Sequence, residues 1–173
     1  MAKSVKRQTV IPKWKDLNRK ENKMKTLISA ILVVLIMTVS AHAADGMVDV
    51  KSSFGVKETG DKLESVLKEK GMTIFNRVKH SEAAKKVGVE LRETELIIFG
   101  NPKIGSPLMK CQQSIAIDLP QKFLIWKDSE GNTMISYNNP RYLKKRHNIS
   151  NCEEVISKIE EALAGIAEAA ATK

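Results

Sequence analysis

The spacing of apolar residues changes several times along this chain, and each change marks an element. Met47 to Ser53 alternates, with Val48 and Val50 on one side and Asp49 and Lys51 on the other, which predicts a half-buried strand. From Lys57 to Lys70 the residues Leu63, Val66 and Leu67 recur at helical spacing, and Gly71 supplies a stop. Met72 to Val78 reads as a second strand. Ser81 to Val87 reads as a short helix with Ala83, Ala84 and Val87 inward, closed by Gly88. Leu96 to Phe99 is a continuous apolar run, which predicts a strand covered on both faces. Lys122–Lys127 and Thr133–Tyr137 flank the turn-rich stretch Asp128 to Asn132, the signal of a longer-loop hairpin.

Asn138-Asn139-Pro140 breaks that second hairpin strand, and Arg141 to His147 is long enough for one or two helical turns. The last helix, expected over 151–170, is the clearest. Ser150 and Glu153 have capping-box spacing, Val155, Ile156, Ile159, Leu163 and Ile166 form one stripe, and Glu154 with Lys158 makes an i,i+4 pair. The order of elements predicts an α+β fold: a single compact domain over 44–173, with a mainly antiparallel sheet covered by helices.

Turn and cap chemistry is densest between Phe99 and Lys122. Gly100 suits a positive φ, and Asn101 before Pro102 is held extended. Gly105-Ser106-Pro107 reads as a helix start, with Ser106 as the cap. Free amides there would suit a phosphate or carboxylate at Gly105, Ser106 and Leu108. An ordinary capped helix is the preferred reading, since the Gly-rich spacing with Lys that a nucleotide site needs is absent.

Charge changes the picture only once it is divided along the chain. The total is +9, but residues 1–43 hold nine basic against two acidic side chains, and the remainder is close to neutral. A field that would steer nucleic acid is therefore not expected of the folded part, and no nucleic-acid partner is expected. Leu27 to Val39 is an uncharged, mostly apolar run too short for a comfortable membrane span. Lys25 precedes it and Ala41-His42-Ala43 follows, the order of a secretory signal peptide with cleavage after Ala43. Met24 is the more ordinary start for such a leader. Export to a bacterial periplasm or beyond is expected, with a membrane role only through the leader if it is retained.

Candidate chemistry after the leader is sparse. Cys111 and Cys152 form a disulfide in an oxidising compartment or stay as two separate thiols; their separation does not decide. His80 and His147 have no Cys or His at ligand spacing, so no metal is expected and each reads as a hydrogen-bonded structural or surface histidine. No G-x-S-x-G elbow is present. Glu90, Glu93, Glu95 and Asp118 are the carboxylates near the central stretch. An acid–base pair forms if Asp118 approaches Glu95 or His80; the commoner role for Asp118 is to bond local amides in its turn.

These residues together resemble a bacterial family, domain of unknown function 302. The matching pieces are His80 with Ala83 and Ala84, KVGVELRETELIIFGNP from Lys86 to Pro102, GSPLM from Gly105, DLPQK from Asp118, and LIWKDSEGNTMISYNNPRYLKKRH from Leu124 to His147. The family commonly carries Thr at the place of Ser106, Leu at that of Gln121 and a small residue at that of Cys111. The resemblance implies a TBP-like β-α-β(4)-α architecture, frequent homodimers and no established reaction. Fold does not carry function. A small-ligand or protein-binding domain without a cofactor is expected rather than an enzyme, with His80, Glu95, Asn101, Ser106, Asp118 and Lys122 as candidate ligand-binding residues. The alternative is a periplasmic enzyme using His80 and Asp118 as acid and base.

Overall fold

A computed structural model describes residues 46–173 of the chain. The leader, its expected start at Met24 and its cleavage site lie outside the described residues. The elements follow in the order β1 (Met47–Ser52), α1 (Val56–Glu69), β2 (Thr73–Lys79), α2 (His80–Lys86), β3 (Thr94–Gly100), α3 (Pro102–Cys111), a 3-10 helix (Gln113–Ile117), β4 (Gln121–Lys127), β5 (Thr133–Asn138), α4 (Pro140–Arg146) and α5 (Glu153–Ala171). The five strands make one antiparallel sheet in the order β1-β5-β4-β3-β2. The α+β expectation holds.

The core lies between one sheet face and the long helices α1 and α5. Ile97, Phe99, Phe123, Ile125, Ile135 and Tyr137 point to it from the sheet, and Leu63, Leu67, Ile156, Leu163 and Ile166 meet them from the helices. Phe123 stacks on Phe99 with ring centroids 4.8 Å apart and takes the edge of Tyr137 at 5.4 Å. Glu95 shares this face, and its carboxylate is held by Arg77 Nε at 2.7 Å. The same guanidinium bonds Asp61 at 2.7 Å, Glu64 at 3.2 Å and the Lys57 carbonyl at 3.2 Å. These ion pairs hold Arg77 further above its ordinary pKa, against the cost of its burial.

Several local expectations are corrected. Among the described residues β3 is covered on one face: Glu95, Ile97 and Phe99 are buried, while Leu96 and Ile98 between them are only half-buried, because no long helix of the described residues packs on the second sheet face. Helix α2 buries none of its residues, and Val87 is 76% exposed rather than inward. Gly100 keeps an extended backbone as the last residue of β3; a Cβ there would lie 3.4 Å from the Phe75 ring.

The helix after β3 starts earlier than Ser106. Asn101 caps it by accepting from the Lys103 amide at 2.9 Å, Pro102 takes the first position, and Pro107 lies inside. Asn139 caps α4 in the same way, accepting from the Arg141 amide at 2.8 Å. The capping box at α5 does not form: Cys152 is the cap residue without a side-chain cap bond, and the Glu153 carboxylate turns instead to Arg141 and Lys144. Cys111 and Cys152 are bonded to each other, which ties the end of α3 to the start of α5 across a Cα separation of 6.4 Å.

Candidate functional site

Strand registers divide the turns into two sets. Lys79 pairs with Glu95 at one end of the sheet, so α2 and the β4–β5 hairpin lie there. Phe99 pairs with Gln121 at the other end, where β3 runs into α3, the 3-10 helix runs into β4, and β5 runs into α4. Three Pro-containing turns therefore gather at this second end: Asn101-Pro102, Leu119-Pro120 with a cis peptide, and Asn139-Pro140.

Between the first two of these turns and α5 opens a cavity of about 310 Å³. Its floor is the core itself, with Phe99, Leu108, Leu163 and Ile166, and Leu119 and Pro120 form one wall. Phe75 stands at the rim, 56% exposed. It occupies a bulge in β2, since Ile74 pairs with Phe99 and Asn76 with Ile98, leaving Phe75 unopposed. An extra residue of that kind bends the strand and re-aims its side chain, here toward the cavity. Among the described residues only Asn101, Ser106 and Gln121 bring polar side chains to the lining, and none of the charged ones lines it.

Beside the cavity lies a polar chain built from three separate segments. Asp118 ends the 3-10 helix, and its Oδ2 lies 2.6 Å from Nε2 of His147, the residue that closes α4. The other imidazole nitrogen, Nδ1, is 3.0 Å from Ser114 Oγ. Arg146 donates to Asp118 Oδ1 at 3.1 Å. The His147 side chain is 7% exposed and that of Asp118 12%, whereas Ser114 is open to solvent. Lys122 Nζ donates to the carbonyls of Asp118 at 2.9 Å and Pro120 at 2.8 Å, which ties the turn together. Burial lowers the pKa of this ammonium, and the charge of Asp118 works in the opposite direction.

The sequence candidates fall into both sets. Asn101 and Ser106 line the cavity; Asp118 and Lys122 hold the turn that forms its wall. His80 and Glu95 lie at the far end of the sheet, and Glu95 is spent on Arg77. The four steps along β3 from Glu95 to Phe99 separate the ends by roughly 13 Å at the usual strand rise. The proposed pairs of Asp118 with His80 or Glu95 therefore have no geometric basis, and the histidine that meets Asp118 is His147. Nor are the amides beyond Asn101 free for an anion, since those of Ile104 and Gly105 donate to the Asn101 carbonyl at 2.9 Å. Ser114 and His147, 33 residues apart, carry no local signal, and Leu108, Leu119 and Leu163 read in the sequence simply as core.

Fold and site together describe an α+β domain in which no long helix among the described residues covers the second sheet face, with an apolar cavity lined by the Asn101-Pro102 and Leu119-Pro120 turns. The chain belongs to the family described as domain of unknown function DUF302, which it matches over residues 48–166. It is similar to the fluoride-specific ion channel FluC 1 of Brucella suis biovar 1 (strain 1330), with 40% identity over 113 residues, covering 65% of this chain and 44% of that one. The FluC 1 protein of Brucella abortus biovar 1 (strain 9-941) is 40% identical over the same length, covering 42% of that chain. The chain thus spans less than half the length of these curated relatives. An uncharacterized conserved DUF302 protein from Bacillus stearothermophilus has the same fold. Its crystal structure matches with a TM-score of 0.67 at 23% identity, over 73% of this chain and 99% of that one.

Proposed function

We propose that the domain binds a small, uncharged apolar ligand in the cavity between α3, the 3-10 helix and α5, and that it does so after export. The cavity's lining carries this reading: a space of about 310 Å³ surrounded by apolar side chains, with three neutral polar groups to orient a ligand. That volume lies at the low end for small-molecule sites. A dry apolar cavity of ~150 Å³ takes a benzene, so the space suits on the order of twelve non-hydrogen atoms. At about 0.5 kcal/mol per atom such a ligand would bind with a Kd of tens of micromolar. The fluoride transport in the names of the Brucella proteins belongs to chains more than twice as long as the matched segment. Among the described residues no helix is long and apolar enough to cross a membrane.

The test is a fluorescence titration of the full chain with 1-aminonaphthalene, a neutral, largely apolar probe that fits a space of this size. Saturable binding by the wild type, lost when Ala162→Phe fills the space, supports the reading. Equal binding by both proteins, or none by the wild type, removes it.

The sheet face that no long helix among the described residues covers supports a second part of the proposal, association of two copies. Leu96, Ile98, Leu124, Trp126 and Met134 are half-buried there, and Asp49 Oδ1 on the same face is buried without a hydrogen-bond partner. A second copy would cover the apolar groups and bring a donor to Asp49. Light scattering of the purified chain should then give twice the monomer mass, and Trp126→Lys should return it to one copy. A wild-type mass of one copy would refute the association.

A further inference from the structure

The hydrogen-bonded chain beside the cavity has a direction. An ionised carboxylate only accepts, so Asp118 Oδ2 at 2.6 Å places the imidazole proton of His147 on Nε2. Nδ1 is then the acceptor, and Ser114 Oγ at 3.0 Å donates its hydroxyl proton to it. A hydroxyl bonded to a basic nitrogen, whose ring is fixed by a carboxylate, is the arrangement that activates a serine nucleophile. Burial follows the same order. Asp118 and His147 are largely covered, and Arg146 holds the second carboxylate oxygen, while Ser114 stands at the surface where a substrate can reach it. On a 3-10 helix, residues three apart eclipse one another, so Ile117 lies on the same side as Ser114. Ile117 is 75% exposed, an apolar surface beside the hydroxyl.

We propose that Ser114 is a nucleophile toward short, unhindered carboxylic esters, with His147 as its base and Asp118 as the positioning residue. Ser114 Oγ attacks the ester carbonyl carbon while its proton passes to His147 Nδ1. The tetrahedral centre collapses, the bond to the alkoxy oxygen breaks, and that oxygen leaves as an alcohol carrying the proton from Nδ1. A water then attacks the acyl-serine with His147 Nδ1 again as base, and the carboxylic acid departs as Ser114 recovers its proton. The hydroxyl is open to solvent, and Ile117 beside it offers a small apolar support, which suits short acyl groups. This activity is independent of the cavity, because residues 114 and 116 of a 3-10 helix face different sides and it is Ala116 that lines the cavity.

A fluorophosphonate probe tests the assignment on the full chain, since attack by Ser114 on its phosphorus expels fluoride and leaves a stable adduct. Peptide mass analysis of the wild type should place the adduct on Ser114, and Ser114→Ala, a change at an exposed side chain, should carry none. His147→Gln should slow labelling by at least ~100-fold, the usual contribution of a positioned base. The wild-type labelling rate should depend on pH, and that dependence should vanish in the His147 variant, which a purely structural role would not produce. Asp118→Asn, tested for native circular dichroism, should slow labelling as well. An unlabelled Ser114 in the wild type, or labelling at the same rate in folded His147→Gln, overturns the proposal.

Discussion

Gly60 gives a test of sign as well as size. It lies in the middle of α1, where replacing Gly by Ala in an open helix gains about 1 kcal/mol of stability. Here a Cβ would lie 2.4 Å from Arg77 Nη2 and 2.8 Å from Cζ. An arginine end normally swings away at little cost. This one is held by Glu95, Asp61, Glu64 and the Lys57 carbonyl, so the shift must break charged hydrogen bonds. Losing one or two of them at about 1.5–3 kcal/mol each outweighs the helix gain, and Gly60→Ala should destabilise the domain by about 1–3 kcal/mol. For a domain of this size that lowers Tm by several degrees. Urea denaturation of the wild type and variant, followed by circular dichroism, measures it. In a background where Arg77 and Glu95 are both replaced by leucine the same substitution should become stabilising. A Gly60→Ala variant more stable than the wild type would show that the guanidinium is not pinned.

Other outcomes follow from the same structure. Arg77→Met should cost about 3–5 kcal/mol in urea denaturation by stranding the buried Glu95 carboxylate, and adding Glu95→Leu should recover much of the loss. Replacing Cys111 and Cys152 by serine opens a bridge between residues 41 apart, which should cost about 4 kcal/mol in the same assay, matched by reductant on the wild type. Hydrogen bonds from Lys57 and then Arg77 lower the pKa of Asp61. Because its folded value is depressed, Asp61 contributes stability above the ordinary carboxylate range and loses it as pH falls through the folded value. Urea midpoints measured down to about pH 2 should therefore fall less steeply in Asp61→Asn than in the wild type.

The order of elements was legible because period changes and Gly or Pro punctuation both survive without tertiary information. Local details failed where two signals of equal quality competed. Asn101-Pro102 and Ser106-Pro107 are both sound helix starts, and the earlier one wins because the Asn101 side chain and carbonyl together satisfy three amides. The spacing of Ala83, Ala84 and Val87 is the same whether or not anything covers them, so sequence alone could not show that α2 is exposed. The cavity was illegible for a related reason: Leu108, Leu119 and Leu163 carry the pattern of packed core, and a space among core residues leaves no mark on it. His147 was separable from His80 only once β3 had put the two at opposite ends of the sheet.

The most direct test of apolar binding is a residue-resolved one. Amide and methyl NMR spectra of the labelled chain, recorded during titration with decanol, should show saturable shifts at Met72, Leu108, Leu119 and Leu163, which line the cavity. Residues Leu124 and Trp126 on the second sheet face should stay unchanged. Shifts confined to that sheet face, or no saturable shift at all, would contradict the account.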